Sequence, residues 1–217
     1  MMRRLLRLGV APLLVALAAA TVIAQHTRLF RPEDLSELEA PDRDEWQQPG
    51  KIMDIMGIGE ASVVADLGAG SGWFTIRLAN RVGPNGRVYA EDVQKPMIQA
   101  IKVRVDRLGL KNVETVLGID TDPRLPKPVD AVLIVDAYHE AEEPVALLTN
   151  LVKSLKPMGR IGIVDFKKDG GGPGPAMEQR VDPEDVIRDA QAAGLVLRSR
   201  ETFLKYQYML VFEKPRS

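Results

Sequence analysis

The sequence predicts an α/β fold, a doubly wound and mostly parallel sheet with helices on both faces and an antiparallel hairpin strand at its C-terminal edge. Three observations carry that expectation. From residue 61 onward, short β-branched runs alternate with longer amphipathic ones, and a strand that follows a helical crossover lies parallel to its predecessor. Breakers stand at the joints, Gly83-Pro84-Asn85-Gly86, Lys156-Pro157-Met158-Gly159 and Gly194, where the chain has to turn. The last two runs, 195–203 and 206–213, are strand-like with only a short turn between them, so they pair antiparallel.

The elements follow in order. Residues 1–24, MMRRLLRLGVAPLLVALAAATVIA, place Arg3, Arg4 and Arg7 ahead of an apolar run and hold no acidic residue. That is the pattern of an export signal cut between Ala24 and Gln25, or of an uncleaved membrane anchor. Either one puts the rest of the chain outside the cytoplasm, exported or membrane-anchored, with residues 1–24 as the means of membrane association. Residues 25–48 are a charged linker or N-terminal arm with a short helix around Pro32–Glu39, and they either cover a cleft or merely tether the domain. The domain proper, 49–217, opens with a helix from Pro49 to about Met56. Strands are then expected at 61–66, 87–91, 113–117, 130–135 and 160–165, and helices at 73–82, 96–108, 144–155 and 183–193.

Composition removes several kinds of chemistry. The 217 residues contain no cysteine and two histidines, His26 and His139. Disulfides, thiolate metal sites, cysteine nucleophiles and a histidine-rich metal centre are therefore excluded, and no metal is expected. A formal charge of −1 with no basic run in the body of the chain argues against a nucleic-acid partner and for a small-molecule substrate.

The most informative stretch is VADLGAGSGWFTIRLA, residues 64–79, in which a strand, a glycine-rich turn and a helix start follow one another. Positions without side chains let a ligand approach the backbone, and the helix start offers unpaired N–H groups. The dinucleotide fingerprint G-x-G-x-x-G would need its third glycine at Trp73. The acid beside the turn, Asp66, repels a pyrophosphate but suits a cationic amino group. Twenty residues after Gly72, Asp92 ends the second strand where a carboxylate accepts both ribose hydroxyls, with Glu91 as the alternative.

D-L-G-A-G-S-G at 66–72, G-R-V-Y-A-E-D-V at 86–93 with Met97 after it, and L-K-P-M-G-R at 155–160 together resemble a class I S-adenosylmethionine-dependent methyltransferase of Rossmann-like fold. The resemblance covers about residues 50–213 and is greatest to the small-molecule branch that includes quinone-biosynthesis methyltransferases, although Met158 stands where that branch has a glycine. It implies S-adenosylmethionine as cofactor. Asp66, Gly68, Gly70 and Gly72 would hold its methionine part, Asp92 its ribose and Asp120 its adenine amino group, and Asp136, after the fourth strand, would belong to the same site.

Methyl transfer from a sulfonium is an in-line displacement that needs near-attack geometry and exclusion of water, with a base only where the acceptor must lose a proton. The acceptor side should lie at Val135–Glu140. There His139 is the candidate general base and Tyr138 a residue that lines the pocket or donates a hydrogen bond; the alternative is that His139 caps a helix or pairs with Glu140 as scaffold. The segment 136–139 lacks the paired prolines of enzymes that methylate DNA amino groups, and the absence of cysteine speaks against pyrimidine-carbon or arsenic acceptors. A small organic acceptor remains, and the leader at 1–24 suggests a lipophilic one. Gly170–Pro175 is either a mobile lid or a plain solvated loop, with Lys167 and Lys168 beside it to attract an acidic acceptor. An NAD-dependent oxidoreductase and a non-catalytic nucleotide-binding member of the fold are the competing functions.

Overall fold

The computed structural model describes residues 29–215; the signal or anchor expected at residues 1–24, and the start of the linker, lie outside them. The chain divides into two units, Met1–Phe30 and Arg31–Ser217, and all that follows concerns the second. A 3-10 helix, Pro32–Glu39, precedes α1 (Arg43–Gln47) and α2 (Pro49–Ile55). Then come β1 (Val63–Leu67), α3 (Trp73–Val82), β2 (Arg87–Asp92), α4 (Lys95–Arg107), β3 (Val113–Leu117), β4 (Val129–Val135), α5 (Pro144–Ser154), β5 (Leu155–Phe166), α6 (Pro183–Ala192), β6 (Val196–Glu201) and β7 (Gln207–Glu213). Pro49, Pro144 and Pro183 each stand first in a helix, where the missing N–H has no intrahelical partner to lose.

The strands form one sheet in the order β3-β2-β1-β4-β5-β7-β6. The first five are mutually parallel, and β7 runs antiparallel to both β5 and β6, which is the doubly wound fold with an antiparallel C-terminal hairpin that the alternation predicts. Central strands such as β1 and β4 are apolar and buried on both faces because helices cover both. On one face Ile52, Phe74, Leu78 and Val82 of α2 and α3 pack on Val64, Val88 and Leu133. On the other, Leu148 and Leu151 of α5 and Val186 and Ala190 of α6 pack on Ala65, Ile134, Ile161 and Phe212.

Strand order reverses between β1 and β4, and ligands of such sheets sit in the crevice beyond the carboxyl ends at that point. The register Leu67↔Glu91 and Leu67↔Ile134 brings the acids at the ends of β1, β2 and β4 to one edge.

Two boundaries differ from expectation. Ala61 lies at φ +63, which ends any extended run, so β1 starts at Val63. The expected turn at Lys156–Gly159 is instead part of β5: the register with β4 jumps from Val129↔Leu155 to Ala131↔Arg160. Proline cannot donate to a ladder, and a bulge is where a strand tolerates one.

Candidate active site

The turn after β1 is built to bring backbone close to something. Gly68, Gly70 and Gly72 lie at φ +66, +52 and +77, a region that side chains disfavour. A Cβ on Gly68 would stand 2.5 Å from that of Ala137, and one on Gly70 would stand 3.1 Å from Leu38 Cδ1. Within the turn, the Ser71 hydroxyl is buried with no hydrogen-bond partner, an arrangement that ordinarily calls for a ligand or water.

Three carboxyls surround the turn, all buried. Asp66 accepts from Thr75 Oγ1 at 2.5 Å, and burial pushes it up to about 6. Glu91 accepts from the Gly68 N–H at 3.4 Å; burial, then the neighbouring Asp92, pushes it up to about 8. Asp92 accepts from the Gly70 N–H at 3.0 Å and the Gln94 N–H at 2.9 Å and is raised by burial. So much acid repels phosphate and suits a cationic, hydroxyl-bearing ligand. Asp120 stands apart, exposed at the tip of the tight turn that pairs Ile119 with Asp122; the acid that acts on Glu91 from this turn is Asp122.

Asp136 follows β4 at φ +57 and is the meeting point of three elements. Arg43 Nη2 donates to it at 3.0 Å and Gln47 Nε2 at 3.3 Å, and Gln207 of β7 donates to its other oxygen. Burial pushes its carboxyl up to about 6 against the opposing pull of Arg43.

Three residues further on, the His139 N–H donates to Asp165 Oδ2 at 3.0 Å, and ring Nδ1 lies 3.1 Å from both oxygens of that carboxylate. Asp165, at the end of β5, is fully buried. With Nδ1 donating to the carboxylate, Nε2 keeps its lone pair and lies 3.9 Å from Glu140 Oε1, so the expected pairing with Glu140 is present beside that with Asp165. Burial pulls the imidazole down, but the hydrogen bond and charge of Asp165 outweigh it, so the net shift is upward.

Tyr138 takes a different course from the one expected of a pocket residue. Its hydroxyl donates to Asp189 Oδ2 of α6 at 2.9 Å and its ring belongs to the core under the other face, so it anchors the loop from below. Sequence reasoning missed Asp165 as the partner of His139, although its position at a strand end was the available signal. Nothing local marked Arg43, Gln47 and Gln207.

The glycine- and proline-rich segment is an exposed loop held by side chains that bond its backbone. Buried Arg180 donates to the carbonyls of Pro175, Lys167, Gly171 and Pro173 at 2.9 to 3.2 Å and lies over the Phe166 ring. The Lys167 ammonium donates to the Leu204 carbonyl at 2.8 Å. Arg180→Ala frees four carbonyls, and amide exchange over 170–176 is expected to rise at least ~10-fold, with a loss of roughly 1–3 kcal/mol in stability; unchanged exchange would mean that the loop holds its shape by itself.

Residues 64–159 match the family described as methyltransferase domain. The ubiquinone/menaquinone biosynthesis C-methyltransferase UbiE of Pseudomonas savastanoi pv. phaseolicola is 30% identical over 120 residues, 54% of this chain and 46% of that protein. The demethylmenaquinone methyltransferase of Bacillus cytotoxicus is 32% identical over 117 residues, 54% of this chain and 48% of that one. The chain thus spans about half the length of the curated relatives it matches. A solved structure of a SAM-dependent methyltransferase from Aquifex aeolicus superposes with a TM-score of 0.80 at 31% identity, covering 85% of this chain and 98% of that one.

Proposed function

Given that the chain belongs to the S-adenosylmethionine-dependent methyltransferases, we propose that it methylates a small organic acceptor whose nucleophilic atom carries a proton. The observation that carries this is the His139–Asp165 pair at the carboxyl ends of β4 and β5, on the crevice that the glycine-rich turn shares. Nucleophiles without a proton need no such base.

The residues fit the cofactor. A turn with glycine at three alternate positions, an unpartnered Ser71 hydroxyl and three carboxyls in place of a phosphate cradle suit a ligand with an amino group, a sulfonium and a ribose. Gly68, Gly70 and Gly72 would hold the methionine part with Asp66 toward its amino group, and Asp92 would take the ribose hydroxyls. The expected adenine contact would come from Asp120, exposed in the turn after β3. When bound, the cofactor supplies an electrophilic methyl group.

The protein's own part is positioning and proton removal. His139 Nε2 accepts the acceptor's proton as its nucleophile gains charge, and Asp165 holds the ring and stabilises the imidazolium. Burial of the pair keeps water from competing. The names of the relatives point to quinone-type acceptors, and a basic, then apolar leader at 1–24 supports a lipophilic acceptor met at or beyond a membrane. Among the described residues no helix is long and apolar enough to cross one.

Calorimetric titration with S-adenosylmethionine, S-adenosylhomocysteine and NAD in parallel tests the cofactor. The first two are expected to bind and NAD is not; NAD binding alone would overturn the proposal. Asp92→Ala is expected to weaken S-adenosylhomocysteine by at least ~10-fold, the loss of charge-assisted hydrogen bonds worth roughly 1.5–3 kcal/mol.

A further inference from the structure

The arm that precedes the domain lies on both halves of the site. Near the end of its 3-10 helix, the Leu38 methyl stands 3.1 Å from where a Cβ on Gly70 would be, the residue at which a ligand in the turn would approach the backbone. At its end, Trp46 packs on Phe166 and Tyr206, with ring centroids 6.0 and 6.2 Å apart, at the end of β5 that carries Asp165. Arg43 lies between them, 7% exposed. Its Nη1 donates to the Leu38 carbonyl at 2.5 Å, Nε to Gln47 Oε1 at 2.5 Å and Nη2 to Asp136 at 3.0 Å. One guanidinium therefore ties the residue over the turn to the loop that carries His139.

How the arm is held differs along its length. No residue of the 3-10 helix Pro32–Glu39 is buried. That part is stapled by charges at the surface, Glu39 to Arg104 of α4 and, just beyond it, Asp44 to Arg77 of α3 at 2.6 Å. Segments with few buried apolar contacts open at low cost. The inner part is a closed polar cluster: Gln47, fully buried, bridges Asp136 and Gln207 Oε1 at 3.0 Å. Trp73, which opens α3, is covered by the guanidinium of Arg43 at 4.3 Å and that of Arg77 at 3.4 Å.

We propose that Arg43 is a positioning residue and the latch of a gate: residues 32–47 release for ligands to pass the glycine-rich turn, and the return of Arg43 to Asp136 sets the loop bearing His139. The gate half rests on the cofactor assignment above, and the latch half does not. Only a forked donor reaches Leu38, Gln47 and Asp136 at once, so lysine is no substitute. Asp136 at φ +57 is a backbone that its surroundings must enforce, and Arg43 and Gln47 supply that enforcement.

The two tryptophans of the chain, Trp46 and Trp73, both sit at the latch, so emission reports its state without ligand or substrate. The experiment compares the full chain with Arg43→Lys and Glu39→Gln by tryptophan emission, amide exchange and the rate of S-adenosylhomocysteine release. Arg43→Lys is expected to redden emission, to raise exchange at 32–47 and at 136–140 by at least ~10-fold, and to speed release by a similar factor. Glu39→Gln removes one of the two outer staples, leaves Asp44–Arg77 and keeps the fold; it is expected to speed release a few-fold, as high salt does in the parent, with exchange at 136–140 unchanged. Unaltered exchange at 136–140 in Arg43→Lys overturns the positioning role, and unaltered release in both variants overturns the gate. If the parent binds no S-adenosylhomocysteine, the cofactor assignment and the gate fall together, and exchange in Arg43→Lys still decides the latch.

Discussion

His139→Ala is expected to lower turnover by about 10²- to 10⁴-fold, the usual contribution of a positioned base, while affinity for S-adenosylhomocysteine stays unchanged. The imidazole must be neutral to accept a proton, and the Asp165 carboxylate holds it above its ordinary range despite burial. Activity should therefore rise with pH through that elevated value. Asp165→Asn removes the largest of the charges that raise the ring and leaves Glu140, Asp136 and the burial that lowers it. Its acid limb should move to lower pH even as the maximal rate falls, because the ring loses both its orienting acceptor and the charge that stabilises the imidazolium. A purely structural Asp165 would cost rate and stability together without moving the limb. Full activity in His139→Ala would reduce the pair to scaffold.

The fold was legible because its signals are local. Alternation of strand and helix needs only neighbouring residues, and Gly83 to Gly86 or Gly194 mark joints wherever the strands lie. The turn and Asp66 were legible for the same reason: D-L-G-A-G-S-G is seven consecutive residues. The β5 boundary was missed because Pro157 breaks most strands and the bulge that admits it depends on β4. The latch was beyond reach, since Arg43 and Asp136 are 93 positions apart and Gln47 and Gln207 are 160, and the charged arm is indistinguishable in composition from a tether. Tyr138 shows the limit from the other side. It adjoins His139 in sequence, but two successive side chains leave the backbone in different directions, and its hydroxyl is claimed by Asp189.

Gly70→Val is expected to reduce S-adenosylhomocysteine affinity by at least ~100-fold, about 2.7 kcal/mol, in a protein that still folds. The backbone there is at φ +52, which costs a non-glycine residue roughly 1–2 kcal/mol. The nearest obstacle is the flexible end of Leu38 at 3.1 Å, so the arm yields rather than the sheet. Melting should fall by about 2–4 °C for each kcal/mol in a chain of this size. Gly68→Val has no such escape: its Cβ would stand 2.5 Å from that of Ala137, on the loop after β4, and crowding of roughly 1–3 kcal/mol adds to the backbone cost. Against a total of about 5–15 kcal/mol, that variant should melt well below Gly70→Val. Besides its positive φ, which any substitution strains alike, Gly70 has two rival reasons to be glycine, the packing of Leu38 and the approach of a ligand, and a pair of variants separates them. If Leu38 alone matters, adding Leu38→Ala to Gly70→Ala restores binding. If the ligand reaches the backbone here, Gly70→Ala stays weak with or without Leu38, and that is the expected result, because the Cβ occupies the space the cofactor needs.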